Sequence, residues 1–258
     1  MNIVVCIKQV PDTETRIKLT PDGKSVDFTG VKWVINPYDE FALEEAIKIK
    51  EKLGGQVTVV CIGPQRAEEA IRTGLAMGAD TAIHVKEDVN DPISSAKVLA
   101  AVISKLQYDL ILCGKQAIDD DMAATCSALG EFLDIPNVNI AIKIDLSADG
   151  KTATVVRQIE GAEEIVYTQL PAVVSCQKGL NTPRYPTLPN IMKAKKKPIK
   201  TMTVDETGIK KEELDNLSVP IGYSLPQARS AGIVIEGENA EELAVKLVKM
   251  LHEEAKVI

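Results

Sequence analysis

An α/β protein with a doubly wound, mainly parallel sheet, a β-hairpin region and an extended C-terminal arm is what this sequence predicts. Three observations predict it. Short, near-continuous aliphatic runs recur through residues 1–135, as suits strands buried on both faces. Stretches of helical spacing separate them, so strands alternate with helices and right-handed crossovers follow. Beyond residue 137 the strand-like runs follow one another with turns between them.

IVVCI (3–7) reads as the first strand. In EFALEEAIKIKEKLG, Phe41, Ala42, Ala46, Ile49 and Leu53 recur at helical spacing, Glu44, Glu45, Lys48 and Lys52 fill the other faces, and Gly54 and Gly55 stop the helix. Asp39, at the end of the turn Asn36-Pro37-Tyr38-Asp39, reads as its N-cap. QVTVVCI (56–62) is the next strand, followed by the helix AEEAIRTGLAMG, which ends at Gly78. AIHV (82–85) precedes a helix through SSAKVLAAVISKL, with Asp91 as cap and Pro92 in the first turn. DLILC (109–113) leads to a helix predicted from about Asp120 through Leu133, ending before Pro136. NIAIKIDL, TATVVRQIE, EEIVYTQL and AVVSC are strand-like, and two or three of them form the hairpin region beside or continuing the sheet. Prolines 183, 186 and 189 predict no regular element in PRYPTLPNIMKAKKKP. Residues 199–258 read as polar and loop-like until a last helix, AEELAVKLVKMLHEEA. So little core of its own makes this stretch an arm over a partner subunit, or else a mobile tail.

A net charge of −7 argues against nucleic acid as the main partner. No apolar run approaches the roughly 20 residues that span a bilayer, so membrane insertion is not expected. MNIVVCIKQVPD reads as a strand rather than a signal peptide, and the expected compartment is the cytoplasm. Five cysteines without a C-x-x-C pair are expected to be free thiols, four of them at apolar strand positions. His84 lies in an apolar run and reads as a satisfied strand residue, and His252 suits a helix C-terminus. G-x-G-x-x-G, the P-loop motif, G-x-S-x-G and H-E-x-x-H are all absent, so the common dehydrogenase and hydrolase signatures fail.

GKQAIDDDMAAT (114–125) places Asp119, Asp120 and Asp121 after the strand DLILC. Helix capping accounts for all three. A metal site is weaker, because consecutive residues at a helix start point in different directions. Ligands of open α/β sheets collect outside the carboxyl ends of strands, and helix N-termini suit phosphate. The small residues Gly114, Ala117, Ala123, Ala124 and Thr125 leave room for one to approach. The loop at Asn36–Asp39 lies over the same strand ends, or is a cap and nothing more. The run KAKKKPIK suits an acidic protein partner or plain solvation.

NPYDEFALEEA, AIRTGLAMGAD, GKQAIDDD, VVRQIEGAEEIVYTQLPAVVSC and GLNTPRYPTLPNIMKAKKKPI, in this order, resemble the β subunits of electron-transfer flavoproteins over nearly the whole chain. The resemblance implies a Rossmann-like, adenine-nucleotide-binding domain at residues 1–190 and an arm at 191–258 that packs on an α subunit. It implies electrons taken from acyl-CoA-type flavoprotein dehydrogenases and passed to a quinone-linked oxidoreductase. FAD would sit at the interface with the α subunit, and a structural AMP in the β subunit. The pocket implied is Cys6, Asn36, Pro37, Tyr38, Asp39 and Ile62, with Gly114, Lys115, Gln116, Ala117, Ile118, Asp119, Asp120, Asp121, Met122, Ala123, Ala124 and Thr125. Residues 176–190 resemble the loop that docks on the dehydrogenase, with Leu180 as an exposed apolar anchor beside Asn181, Pro183, Arg184 and Tyr185. A carrier subunit rather than an enzyme is implied. A bifurcating branch of the family carries FAD in the same pocket and oxidises NADH there, but reads Asp-Gly-Asp where this chain has Asp119-Asp120-Asp121, which favours AMP. A free-standing nucleotide-binding stress-type protein is a third reading, one that leaves the proline-rich and C-terminal segments unexplained.

Overall fold

The computed structural model describes residues 1–89, 91–214, 220–228 and 231–258. Its elements in chain order begin with β1 (Asn2–Ile7), β2 (Gln9–Pro11), β3 (Trp33–Ile35), α1 (Pro37–Leu53), β4 (Gln56–Gly63) and α2 (Glu68–Met77). They continue with β5 (Thr81–Lys86), α3 (Pro92–Ile103), β6 (Leu110–Gly114), α4 (Thr125–Leu133), β7 (Asn137–Leu146), β8 (Thr152–Ile159) and β9 (Ala162–Gln169). Last come β10 (Val173–Cys176), α5 (Leu188–Lys196), β11 (Lys200–Met202), α6 (Val204–Thr207) and α7 (Ala240–Lys249).

Among the described residues one sheet has the order β11-β5-β4-β1-β6-β10-β7-β8-β9. Its pairs are parallel from β11 to β7, and β7-β8-β9 is an antiparallel meander. The predicted hairpin region thus continues the sheet, except that β10 turns back to lie parallel between β6 and β7. The alternation along β1 shows why the strands are apolar throughout. Ile3, Val5 and Ile7 pack with α1 and α2, while Val4 and Cys6 face α3 and α4. Leu110 and Leu112 of β6 repeat the first face, Ile111 and Cys113 the second. With helices on both faces, every position of these two strands except Asn2 is buried. After β1 the chain moves to β4 and β5 on one side, then crosses to β6 on the other. The strand order reverses at β1, and that is where open α/β sheets form a crevice.

Five expectations needed correction. The helix predicted from Asp120 starts at Thr125. Asp121 (φ 53°) and Ala123 (φ 52°) are left-handed and cannot belong to it. Asp39 is not the cap of α1. Asn36 holds that position without a side-chain cap bond, because Pro37 fits the first turn and sets the start earlier. The proline-rich stretch does hold a helix, α5, whose Pro189 lies in the first turn where its missing N–H costs nothing. Finally, Glu44 and Glu45 are buried, not solvated, and residues 199–209 are not loop: β11 pairs with β5, and Val204 and Ile209 join the core.

Residues 1–17 and 27–221 form one compact unit, and 18–26 with 222–258 a second. In the second, Tyr223 N donates to Gly23 O at 3.1 Å, and α7 is capped by Asn239, whose side chain accepts from Glu242 N. Of the predicted arm, 215–219 and 229–230 lie outside the described residues. No helix among the described residues is long and apolar enough to cross a membrane.

Candidate functional site

The C-terminal ends of β1, β4 and β6 and the first turns of α3 and α4 surround a cleft of about 810 Å³, counting its open mouth. A cleft at strand ends with an apolar floor and a few polar groups is a common form of small-molecule site. Its floor is apolar, with Cys6, Ile62, Leu99 and Cys113. Of the residues expected there, Cys6, Asn36, Asp39, Ile62, Gly114, Lys115, Gln116, Ala117, Asp120, Met122, Ala123, Ala124 and Thr125 line it. Pro37, Tyr38, Ile118, Asp119 and Asp121 are not among the residues that line it.

The start of α1 and the loop after β6 are stitched together directly. Asn36 is 1% exposed, and its Nδ2 donates to Gln116 O and Asp39 Oδ1, both at 2.9 Å. Its Oδ1 accepts from Ile118 N at 3.3 Å. Asp39 accepts from Lys8 N at 2.7 Å and Gly114 N at 3.1 Å. One buried carboxyl therefore ties α1 to the ends of two strands. Burial pushes the Asp39 carboxyl up to about 7, against Asn36 and the N–H groups of Lys8 and Gly114, which pull it down. Gly114 is the close-approach point: a Cβ there would meet Asp39 Oδ1, and Asp39 N and Tyr38 C at 2.8 Å.

Two of the three consecutive aspartates have a different job from capping. Lys8 Nζ donates to Asp119 Oδ1 and Asp120 Oδ2, both at 2.8 Å. Burial would lower the Lys8 ammonium, but the two carboxylates outweigh it and hold its pKa above the usual value. Asp121 accepts from Gln116 Nε2, and its N–H donates to Ala117 O at 2.9 Å, closing the loop on itself. Ala123 stands at φ 52°, a region that costs an alanine roughly 1–2 kcal/mol. Ala123→Gly is expected to raise the unfolding free energy by about 0.5–1 kcal/mol after the entropy lost by glycine is subtracted. Urea unfolding checks it, and a lower midpoint contradicts it.

All five cysteines are buried and free. Contact with Cys113 pushes the Cys6 thiol up, contact with Cys126 does so for Cys113, and burial adds to both. Burial lifts Cys61 to about 12. These groups are neutral thiols at physiological pH, which suits an apolar floor and not a nucleophile. His84 is buried, with Nε2 2.9 Å from Gly63 O, as its strand position predicted.

Lys8, Val89, Asp91, Pro92, Ser95 and Leu99 also line the cleft and were missed by sequence reasoning. A signal for most of them was present. Asp91-Pro92 marks a helix start just beyond β5, and Asp91 Oδ1 accepts from Ile93 N and Ser94 N at 2.9 and 2.8 Å. The strand-end rule that singled out 114–125 applies equally there.

On the other face of the sheet, residues 180–185 lie along α1. Leu180, expected as an exposed anchor, is instead half-buried against the core, because it packs beneath the loop, and Tyr185 is 92% exposed. Asn181 Nδ2 donates to Phe41 O at 3.0 Å and Glu45 Oε2 at 2.9 Å, and Arg184 is paired with Glu44 and Glu51.

The electron transfer flavoprotein domain family matches residues 24–207. The chain is 42% identical over 262 residues to the electron transfer flavoprotein subunit beta of Bacillus subtilis (strain 168), covering 100% of each. It is 42% identical over 253 residues to the Homo sapiens protein of that name, covering 96% of each. To the Arabidopsis thaliana electron transfer flavoprotein subunit beta, mitochondrial, it is 40% identical over 255 residues, or 98% of this chain and 99% of the relative. The chain therefore belongs to the electron transfer flavoprotein family, as a β subunit, one component of an electron carrier.

Proposed function

We propose that the strand-end cleft holds AMP in a structural role. On this reading the chain pairs with an α subunit and carries electrons from acyl-CoA-type flavoprotein dehydrogenases to a quinone-linked oxidoreductase. A β subunit implies an α subunit, and the arm at 191–258 is the part of this chain assigned to pack on it. FAD at that interface supplies the redox chemistry.

The observation that carries the nucleotide reading is the cleft itself, at the reversal of strand order and lined by two helix starts. Its residues fit an adenylate. The apolar floor of Cys6, Ile62 and Leu99 suits a flat base. The first turn of α4 offers unpaired N–H groups for a phosphate. Lys8 neutralises part of the rim charge of Asp119 and Asp120, which would otherwise repel that phosphate. Asn36, Asp39 and Gly114 hold the walls in place. The docking assignment for Leu180, Asn181, Pro183, Arg184 and Tyr185 is supported by an exposed tyrosine in a segment stiffened by Pro183 and Pro186.

The test uses the purified heterodimer. Mixed with an acyl-CoA dehydrogenase reduced by its substrate, the heterodimer flavin is expected to bleach in rapid-mixing absorbance, whereas NADH alone leaves it oxidised. Rapid bleaching by NADH and none by the dehydrogenase contradicts the carrier reading and favours a bifurcating subunit.

A further inference from the structure

Helix α1 does two things at once. Its first turn supplies Asp39 to the cleft, next to Asn36 at the cap position, and its later turns carry Glu44, Glu45 and Glu51 under the segment 181–187. That segment has no regular structure. Pro183 and Pro186 within it have no N–H to donate. The bonds that hold it come from α1. Arg184 N and Nε donate to Glu44 Oε2 at 3.1 and 2.9 Å, and Nη2 donates to Glu44 Oε1 at 2.9 Å. Nη1 and Nη2 reach Glu51 at 2.6 and 3.0 Å. One guanidinium thus bridges two carboxylates about two helical turns apart, a planar fork that lysine cannot reproduce. Glu44 is 5% exposed and Glu45 7%. Two buried carboxylates on a helix are costly unless paired. Lys48 on the same helix lies 3.6 Å from Glu45, but Arg184, which pairs with Glu44, and Asn181, which donates to Glu45, lie in a loop more than a hundred residues further along the chain. The fold has placed these charges where they fix that loop.

We propose that Arg184, with Glu44 and Glu51, is a positioning clamp for the docking surface: it holds Tyr185 and Leu180 at one set angle on α1 for the electron-donating flavoprotein. The inference rests on the docking reading above. The clamp touches neither flavin nor nucleotide. It acts by ordering the loop before the encounter, so that docking does not have to supply the ordering entropy.

The experiment measures transfer from a substrate-reduced acyl-CoA dehydrogenase to the FAD-loaded heterodimer as heterodimer concentration varies. Arg184→Lys keeps a positive charge on buried Glu44 but loses the fork. Glu51→Gln leaves the buried pair intact and removes only the second arm, so it folds even if the first variant does not. Both are expected to raise KM about fivefold, with kcat within about twofold of wild type. Flavin and nucleotide content stay at wild-type values in both, and Glu51→Gln, which loses only an exposed ion pair, keeps the wild-type melting temperature. Tyr185→Ala and Leu180→Ala serve as controls. If they raise KM while the clamp variants do not, the clamp is overturned and the docking reading stands. If none of the four changes KM, the docking reading fails and takes the clamp with it. A KM rise in Glu51→Gln that tracks a loss of flavin or of melting temperature also contradicts the proposal, since it marks the contacts as general to the fold.

Discussion

Asp39→Ala is expected to lower the stability of the protein by about 3–5 kcal/mol at pH 5, from the donors it strands. Lys8 N, Gly114 N and Asn36 Nδ2 all end on this carboxyl. Two of them are backbone groups at strand ends, where no other acceptor replaces it. An unsatisfied buried donor costs about 1–3 kcal/mol. The pH dependence of the same residue is separable. Folding raises the carboxyl from 3.8 to about 7, so the native state keeps a proton that the unfolded chain gives up. The resulting stability is fully present below pH 3.8 and is lost as pH rises through about 7. At 1.36 kcal/mol per unit the span is at most about 4 kcal/mol. Asp39→Asn removes the titration. The difference between wild type and this variant should therefore move by up to that amount between pH 4 and pH 8, in the direction that disfavours wild type at high pH. Urea unfolding of both proteins across this range measures it, and parallel profiles contradict the account.

Gly114→Ala is expected to cost about 3 kcal/mol and to empty the cleft of nucleotide. The added carbon would meet Asp39 Oδ1, Asp39 N and Tyr38 C. Two of these atoms are backbone in the first turn of α1, so no rotamer change relieves the contact. The helix start must retreat, which opens the Asn36 bridge to Gln116 and Ile118 that forms the cleft wall. Chemical denaturation and nucleotide content of the purified heterodimer read the two effects. Wild-type stability with full nucleotide content would show that α1 does not sit this close to β6 in solution.

Why these elements could be read in the sequence, and others not, has physical reasons. Strands buried on both faces leave an unmistakable run of aliphatic residues, and β1, β4, β5 and β6 were placed within two residues. The helices α2 and α3 followed because Gly78, Asp91 and Pro92 punctuate them. The strand-end rule brought together residues 36–39 and 114–125, which the structure joins through Asn36 and Asp39. The start of α4 was misplaced because an aspartate run looks like a cap. What decides it is a long-range partner, Lys8, that draws Asp119 and Asp120 away. Glu44 and Glu45 were misread for the same reason, since their partners Arg184 and Asn181 lie far along the chain. β11 was missed because a three-residue edge strand, Lys200–Met202, has no room for a pattern. Local chemistry announces itself, whereas a charge with a distant partner does not.

The central claim is that an adenylate occupies the cleft between β1, β4 and β6. Denaturing the purified heterodimer and identifying the released small molecules by mass spectrometry tests it most directly. The account predicts one AMP and one FAD per heterodimer, with AMP lost from Gly114→Ala. Two flavins and no AMP, or AMP retained in full by Gly114→Ala, would contradict it.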